Sequence, residues 1–269
     1  MGEARRFVLD GGPTWHRPKD SHDVIGVFDQ ACSPTWSTLT MPAGEAVVEQ
    51  LRDRLDEDRA AFALFHPGMD DEPLAFVWVA FTRGVPDSLD PITDPAAPSV
   101  PLEKADTAVF WSISASQTGL SSLGLGNELI KAAVRELRVS QPSLSTFVTL
   151  SPIPTLAAHV LETVADGDAL GTNRSVDDVQ RLLTDEVWLV SHEADELASP
   201  LLGLAARYLT DTGATGRSPD PVSNFHLGNG ARLMRLCWAA NRSPQGLGQS
   251  LGIMANYLYE PQEGSDRAR

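Results

Sequence analysis

Residues 107–137 constrain the fold of this chain more than any other segment. TAVFWSISA, residues 107–115, is β-branched and aromatic and reads as a buried strand. QTGLSSLGLG then supplies three glycines, and GNELIKAAVREL places Leu129, Ile130, Ala133, Val134 and Leu137 at helical spacing. A helix with one apolar stripe, fed by a buried strand through a short turn, must lay that stripe on the sheet, so an α/β layer follows. The turn has a chemical property too. A helix start offers unpaired N–H groups and a positive dipole end, which cradle an anion. It is no nucleotide-hydrolase loop, because Gly119 to Gly124 is followed by Leu125 and Gly126, not by Lys and Ser or Thr. It is no dinucleotide fingerprint either, since Gly124 and Gly126 are followed by Leu129 at the third glycine position. From the residues alone, the turn either holds a pyrophosphate or simply lets the helix pack closely.

Elsewhere the pattern is less regular. Residues 1–42 are rich in Pro, Gly, Ser and Asp, with Trp15 and Trp36 as weak anchors, and form a segment of unclear structure. From Ala43 to Arg59, Val47, Leu51 and Leu55 recur among charged residues, which predicts an amphipathic helix. AAFALFH (60–66) and PLAFVWVAFT (73–82), joined by PGMDDE, predict a hairpin, and residues 84–105, rich in proline and Asp, a surface loop. STFVTLS (145–151) is a further strand that ends at SPIP, where Pro152 and Pro154 stop ladder pairing. Residues 155–165 and 175–210 read mostly as helix. RLMRLCWAA and GIMANYLY return to strand, separated by the turn-rich NRSPQG. The organisation expected is a domain over 43–260 with a central mixed sheet flanked by helices, and a polar tail at 261–269.

Charge removes several functions. With 36 acidic residues against 21 basic ones the net charge is −15, and no run of Lys or Arg offsets it locally, so nucleic acid and anionic membrane surfaces are not expected partners. No apolar run reaches the roughly 18 residues of a spanning helix, and MGEARRFVLDGG lacks the apolar core of a signal peptide. A cytoplasmic protein is the expectation. Cys32 and Cys237 make neither a disulfide framework nor a zinc spacing. None of the six histidines has metal-ligand spacing, so no metal is expected.

Two side chains stand out. His226, in PVSNFHLGNG, sits between Phe225 and Leu227, with Asn224 and Asn229 near enough to orient an imidazole. The plain alternative is a half-buried histidine satisfied by a backbone carbonyl. Ser151 stands at a strand end, where α/β sheets place reactive groups, and the plain alternative is a cap. No GxSxG elbow accompanies it.

The strings that carry these signals resemble one family. DTAVFWSISASQTGLSSLGLGNELIKAAVREL, FVTLSPIPTLAAHVL and PVSNFHLGNGARLMRLCWAANRSPQGLGQSLGIMANYLYE, with DEPLAFVWVAFTRGVPDS ahead of them, are similar in order to the catalytic domain of malonyl-CoA decarboxylase over about residues 60–260. The resemblance implies a GNAT-like acyltransferase fold and conversion of malonyl-CoA to acetyl-CoA and carbon dioxide with no metal or organic cofactor. It implies Ser151, His226 and Tyr259 as catalytic residues, with the Ser121 to Gly126 loop on the coenzyme A pyrophosphate through the N–H groups of Leu123 and Leu125. Ser121, Gly124, Gly126 and Asn224 complete the implied substrate contacts. In chemical terms, the thioester carbonyl accepts the electrons that decarboxylation leaves. The protein must then hold the carboxylate, stabilise the enolate oxygen and return a proton to carbon. His226 is assigned to protonation, Ser151 to hydrogen bonding with the carboxylate or His226, and Tyr259 to positioning.

Departures from the family pattern are specific. SPxPG reads SPIPT, with Thr155 in place of glycine; Trp111 replaces a common tyrosine; Ser121 replaces the usual Arg or Gln of the GNAT loop; and Gly124 stands where animal enzymes are acidic. The family's helical N-terminal domain does not fit within this length, which leaves oligomeric state open. Competing readings are an acyl-CoA-dependent acyltransferase of the same fold, serving an acyl carrier protein or a small amine, and a non-catalytic coenzyme A-binding protein.

Overall fold

The computed structural model describes residues 3–6, 26–27, 58–66, 69–94, 96–115, 125–184, 188–190, 193–213 and 216–260. The expected helix over 43–57, most of the glycine turn (116–124) and the tail 261–269 lie outside the described residues. The chain divides into two compact units, residues 1–86 with 91–148, and residues 87–90 with 149–269.

In the first unit, strands β1 (Glu3–Arg6), β2 (Gly26–Val27), β3 (Arg59–His66), β4 (Met69–Thr82), β5 (Thr107–Ala115) and β6 (Thr146–Thr149) form a sheet of order β1-β3-β4-β5-β6, with β2 also on β3. The hairpin is present as expected, antiparallel from Arg59↔Ala80 to Leu64↔Ala75. Its turn is shorter than the composition of PGMDDE suggested, because β4 already begins at Met69. The predicted helix to Arg59 is corrected at its end: Asp58 lies in a turn and Arg59 opens β3. The apolar spacing of Val47, Leu51 and Leu55 stops short of that point, and the Arg59 guanidinium instead donates to the carbonyls of Pro91 and Ile92 at 3.3 and 3.0 Å.

Helix α1 (Leu125–Ser140) packs on β3, β4 and β5. All five residues of its expected stripe, Leu129, Ile130, Ala133, Val134 and Leu137, are buried, as are Phe62, Val77, Val79 and Phe110 of the strands. Each fully buried large apolar side chain contributes about 1.5–3 kcal/mol, which secures the helix on the sheet. Among its described residues, the loop over 84–105 holds a one-turn helix at Asp90–Thr93 and a 3₁₀ turn at Leu102–Lys104.

The second unit contains β7 (Ser151–Pro152), β8 (Arg232–Cys237) and β9 (Met254–Leu258), with β9 paired antiparallel to both. Strand pairing thus reaches Pro152, one residue beyond what the proline was expected to allow. Strand β7 lies at the end of the strand order, and on an edge strand the side lacking an N–H can face away from the partner, so the pairing survives. Around these strands lie α2 (Leu156–Ala165), α3 (Val176–Leu183), α4 (Glu193–Thr210), α5 (Pro221–Gly228) and α6 (Pro244–Ser250). Helix α6 corrects the expected turn at NRSPQG. Ser243 accepts from Gly246 N–H at 3.1 Å and Pro244 occupies the first turn, a start signal hidden inside turn-like composition. Helix α5 has the same grammar, with Asp220 capping and Pro221 next. Among the described residues, no helix is long and apolar enough to cross a membrane.

Candidate active site

Local structure sets each component of the site. Ser151 begins β7, and Thr149, two residues earlier, points the same way, since side chains alternate along extended chain. Both are buried. Asn256 of β9 donates its carboxamide to Thr149 O at 2.8 Å, and Tyr257 N–H donates to Thr149 Oγ1 at 3.2 Å. Thr149 is therefore held from two sides. On α5, Asp220 Oδ1 accepts from Ser223 N–H at 2.8 Å, fixing the helix start, and His226 lies one turn beyond Ser223 on the same face.

These elements join Ser151 to His226 across 75 residues: Ser151 Oγ lies 2.9 Å from His226 Nε2 and 2.9 Å from Thr149 Oγ1. On the far side of the ring, His226 Nδ1 lies 2.9 Å from Tyr259 Oη. Proton accounting sets the direction of this chain, because a hydroxyl has one proton to give. Ser151 O–H donates to Thr149 Oγ1. Nε2 must then carry the ring proton and donate to Ser151 Oγ, while Nδ1 accepts from the Tyr259 hydroxyl.

The imidazole is enclosed. It is 2% exposed, stacked on Tyr257 at a centroid distance of 4.6 Å and 24°, and met by the Phe225 edge at 5.0 Å. Burial penalises the charged ring and pushes its pKa down to about 3, so His226 is neutral at physiological pH. Burial likewise pushes the Tyr257 hydroxyl up to about 12 and raises that of Tyr259, so both phenols keep their protons. The site is a run of neutral donors and acceptors.

The structure thus brings together Ser151, His226 and Tyr259, the three residues singled out from the sequence. Asn224 stands differently. Its carboxamide donates to the Ser218 carbonyl, because residues two apart on a helix face different directions. The partners of the imidazole are hydroxyls, and Asn229, past the helix end, bears on the Tyr259 phenol rather than on the ring. Leu125 and Gly126 open α1, whereas Ser121, Leu123 and Gly124 lie outside the described residues. Trp111 lies on β5. Sequence reasoning missed Thr149 and Tyr257, although both were legible as the same-face neighbours, two residues back, of Ser151 and Tyr259. Among the described residues, no three His, Cys, Asp or Glu side chains are grouped to hold a metal ion.

Fold and site define an α/β protein with a buried, hydrogen-bonded Thr–Ser–His–Tyr chain. The family model described as malonyl-CoA decarboxylase C-terminal domain matches residues 46–267, and the chain belongs to that family. The mitochondrial malonyl-CoA decarboxylase of Anser anser anser is 34% identical over 230 residues, 78% of this chain and 46% of that protein. The crystal structure of malonyl-CoA decarboxylase from Rhodopseudomonas palustris aligns with a TM-score of 0.70 and 42% identity, over 78% of this chain and 49% of that one. Its counterpart from Agrobacterium vitis aligns with a TM-score of 0.72 and 42% identity, over 82% and 54%. The chain spans about half the length of these relatives.

Proposed function

We propose that this chain decarboxylates a malonyl thioester, malonyl-CoA to acetyl-CoA and carbon dioxide, with His226 as proton donor. The observation that carries the reading is the Ser151–His226–Tyr259 chain, whose proton order leaves Nε2–H directed at Ser151. When the bond between the α-carbon and the carboxylate breaks, carbon dioxide leaves and the electron pair enters the thioester carbonyl as an enolate. The α-carbon of that enolate is a stronger base than imidazolate or alkoxide, so a neutral donor suffices to quench it. This agrees with a ring that burial keeps uncharged. His226 Nε2–H, with Ser151 Oγ in contact, gives its proton to the α-carbon, and the ring, held from the other side by Tyr259, takes a proton back from water as the product leaves. Thr149 prevents Ser151 from turning its own proton onto Nε2 and reversing the chain.

Incubation of the purified chain with malonyl-CoA, followed by mass spectrometry, tests the reaction. Acetyl-CoA should form without an amine acceptor and after exhaustive chelation. Formation of an acylated amine in place of free acetyl-CoA would favour the acyltransferase reading, and activity lost to a chelator and restored by a metal would refute cofactor-independent chemistry.

The start of α1 is the proposed pyrophosphate site in this reading, and Gly126 stands in its first turn. A branched side chain there would block close approach of an anion to the helix N–H groups. Gly126→Val is expected to weaken coenzyme A binding about tenfold or more by calorimetry, as expected from losing charge-assisted hydrogen bonds of about 1.5–3 kcal/mol. A folded Gly126→Val protein with unchanged affinity would remove the loop assignment.

A further inference from the structure

The departure at SPIPT has a structural counterpart. Thr155 occupies the N-cap position of α2, where a threonine side chain ordinarily accepts from a backbone N–H of the first turn. It makes no such bond. Its hydroxyl instead donates to Asp220 Oδ2 at 3.0 Å and lies 2.7 Å from Tyr208 Oη on α4. With the single Thr155 proton committed to the carboxylate, the Tyr208 hydroxyl is the donor in the second bond. Tyr208 is in turn held by stacking on His159 of α2, at a centroid distance of 4.4 Å and 21°.

Asp220 is fully buried, and it is the cap that sets where α5 begins. One oxygen takes the Ser223 N–H and the other takes the Thr155 hydroxyl. Ser223 and His226 are successive buried residues on one face of a two-turn helix, so the position of the cap is transmitted directly to the imidazole.

The geometry points to Thr155, with Tyr208 behind it, as a positioning residue: the hydroxyl anchors Asp220 and thereby sets the placement of His226 against Ser151. A glycine at this position, as in the family's SPxPG string, has no group to make this anchor. The inference rests on the reading of His226 as the proton donor, and its test separates the two.

Thr155→Val keeps the shape and removes the hydroxyl, leaving a buried carboxylate oxygen without its donor. Displacement of a reacting group by a fraction of an ångström is costly, and kcat for malonyl-CoA should fall about tenfold with KM within about twofold. Thr155→Ser should restore it. Tyr208→Phe should show a smaller loss of about threefold, since the bond to Asp220 survives. In parallel, the ring ¹⁵N resonances of His226, assigned by their loss in His226→Asn, should shift in Thr155→Val and return in Thr155→Ser. Native kcat and native ring signals in folded Thr155→Val overturn the positioning role, as does a lowered melting temperature with both readouts unchanged. Should Thr155→Val fail to fold, unchanged ring signals in Tyr208→Phe overturn it. If His226→Asn keeps normal turnover while the ring signals shift, the proton-donor reading falls and the anchoring of the imidazole stands.

Discussion

His226→Asn is expected to lower kcat for malonyl-CoA by about 10²- to 10⁴-fold while coenzyme A affinity changes little, the range of a lost general acid. This corresponds to about 3–5 kcal/mol of barrier. The magnitude follows from the position of the ring: Nε2 is the one imidazole proton carrier, and it is bonded to the hydroxyl at the strand end. A packing role makes the opposite forecast, a lowered melting temperature and a normal turnover for the protein that remains folded. Because Ser151 and His226 share a hydrogen bond, Ser151→Ala should show a similar loss and the double variant should be little worse than either single one. Full additivity of the two losses would show that the residues do not act as a unit. Normal turnover in folded His226→Asn would remove the mechanism.

Acid should destabilise the native chain through the same side chain. The ring titrates near 6.5 when free and is pushed down to about 3 by burial in the fold, so the unfolded chain binds the proton more readily. The sign follows: the contribution is complete above the unfolded value and is lost as pH falls from about 6.5 towards 3. The total is on the order of 5 kcal/mol, at about 1.4 kcal/mol per pH unit in the steep part. Urea unfolding of the native chain and of His226→Gln at a series of pH values between 7 and 4 isolates it from the carboxylates, which titrate in both. The native curve should fall more steeply, and parallel curves would mean that the fold leaves the titration of the ring unshifted. Catalysis carries the complementary signature, because a ring neutral throughout this range should leave no limb near 6.5 in the pH profile of kcat/KM.

Elements whose pattern repeats within a few residues were legible before folding. The stripe from Leu129 to Leu137, the 107–115 strand and the hairpin around β3 and β4 appear where their periodicity places them. The failures have a common cause. Helices α5 and α6 are short, and their polar and glycine-rich composition masks the Asp220–Pro221 and Ser243–Pro244 start signals. The Arg59 end of the predicted helix failed because Arg59 opens a strand, and its guanidinium reaches the distant carbonyls of Pro91 and Ile92 as well as Asp58 beside it. For the site, family resemblance picked out Ser151, His226 and Tyr259, whereas inspection of the residues left His226 between an oriented acid and a core histidine.

Local order along the chain determined the 107–115 strand, the hairpin and the stripe from Leu129 to Leu137, and which side chains are chemically able to move a proton. Only the tertiary structure decided what those side chains are. Ser151 and His226 meet across 75 residues, and Thr155 reaches Asp220 across 65, distances in sequence over which no periodicity carries information. The charge of the ring was decided there as well. An imidazole beside asparagines in sequence could be ionised or neutral, and it is neutral because packing against Tyr257 and Phe225 removes the water that would solvate its charge.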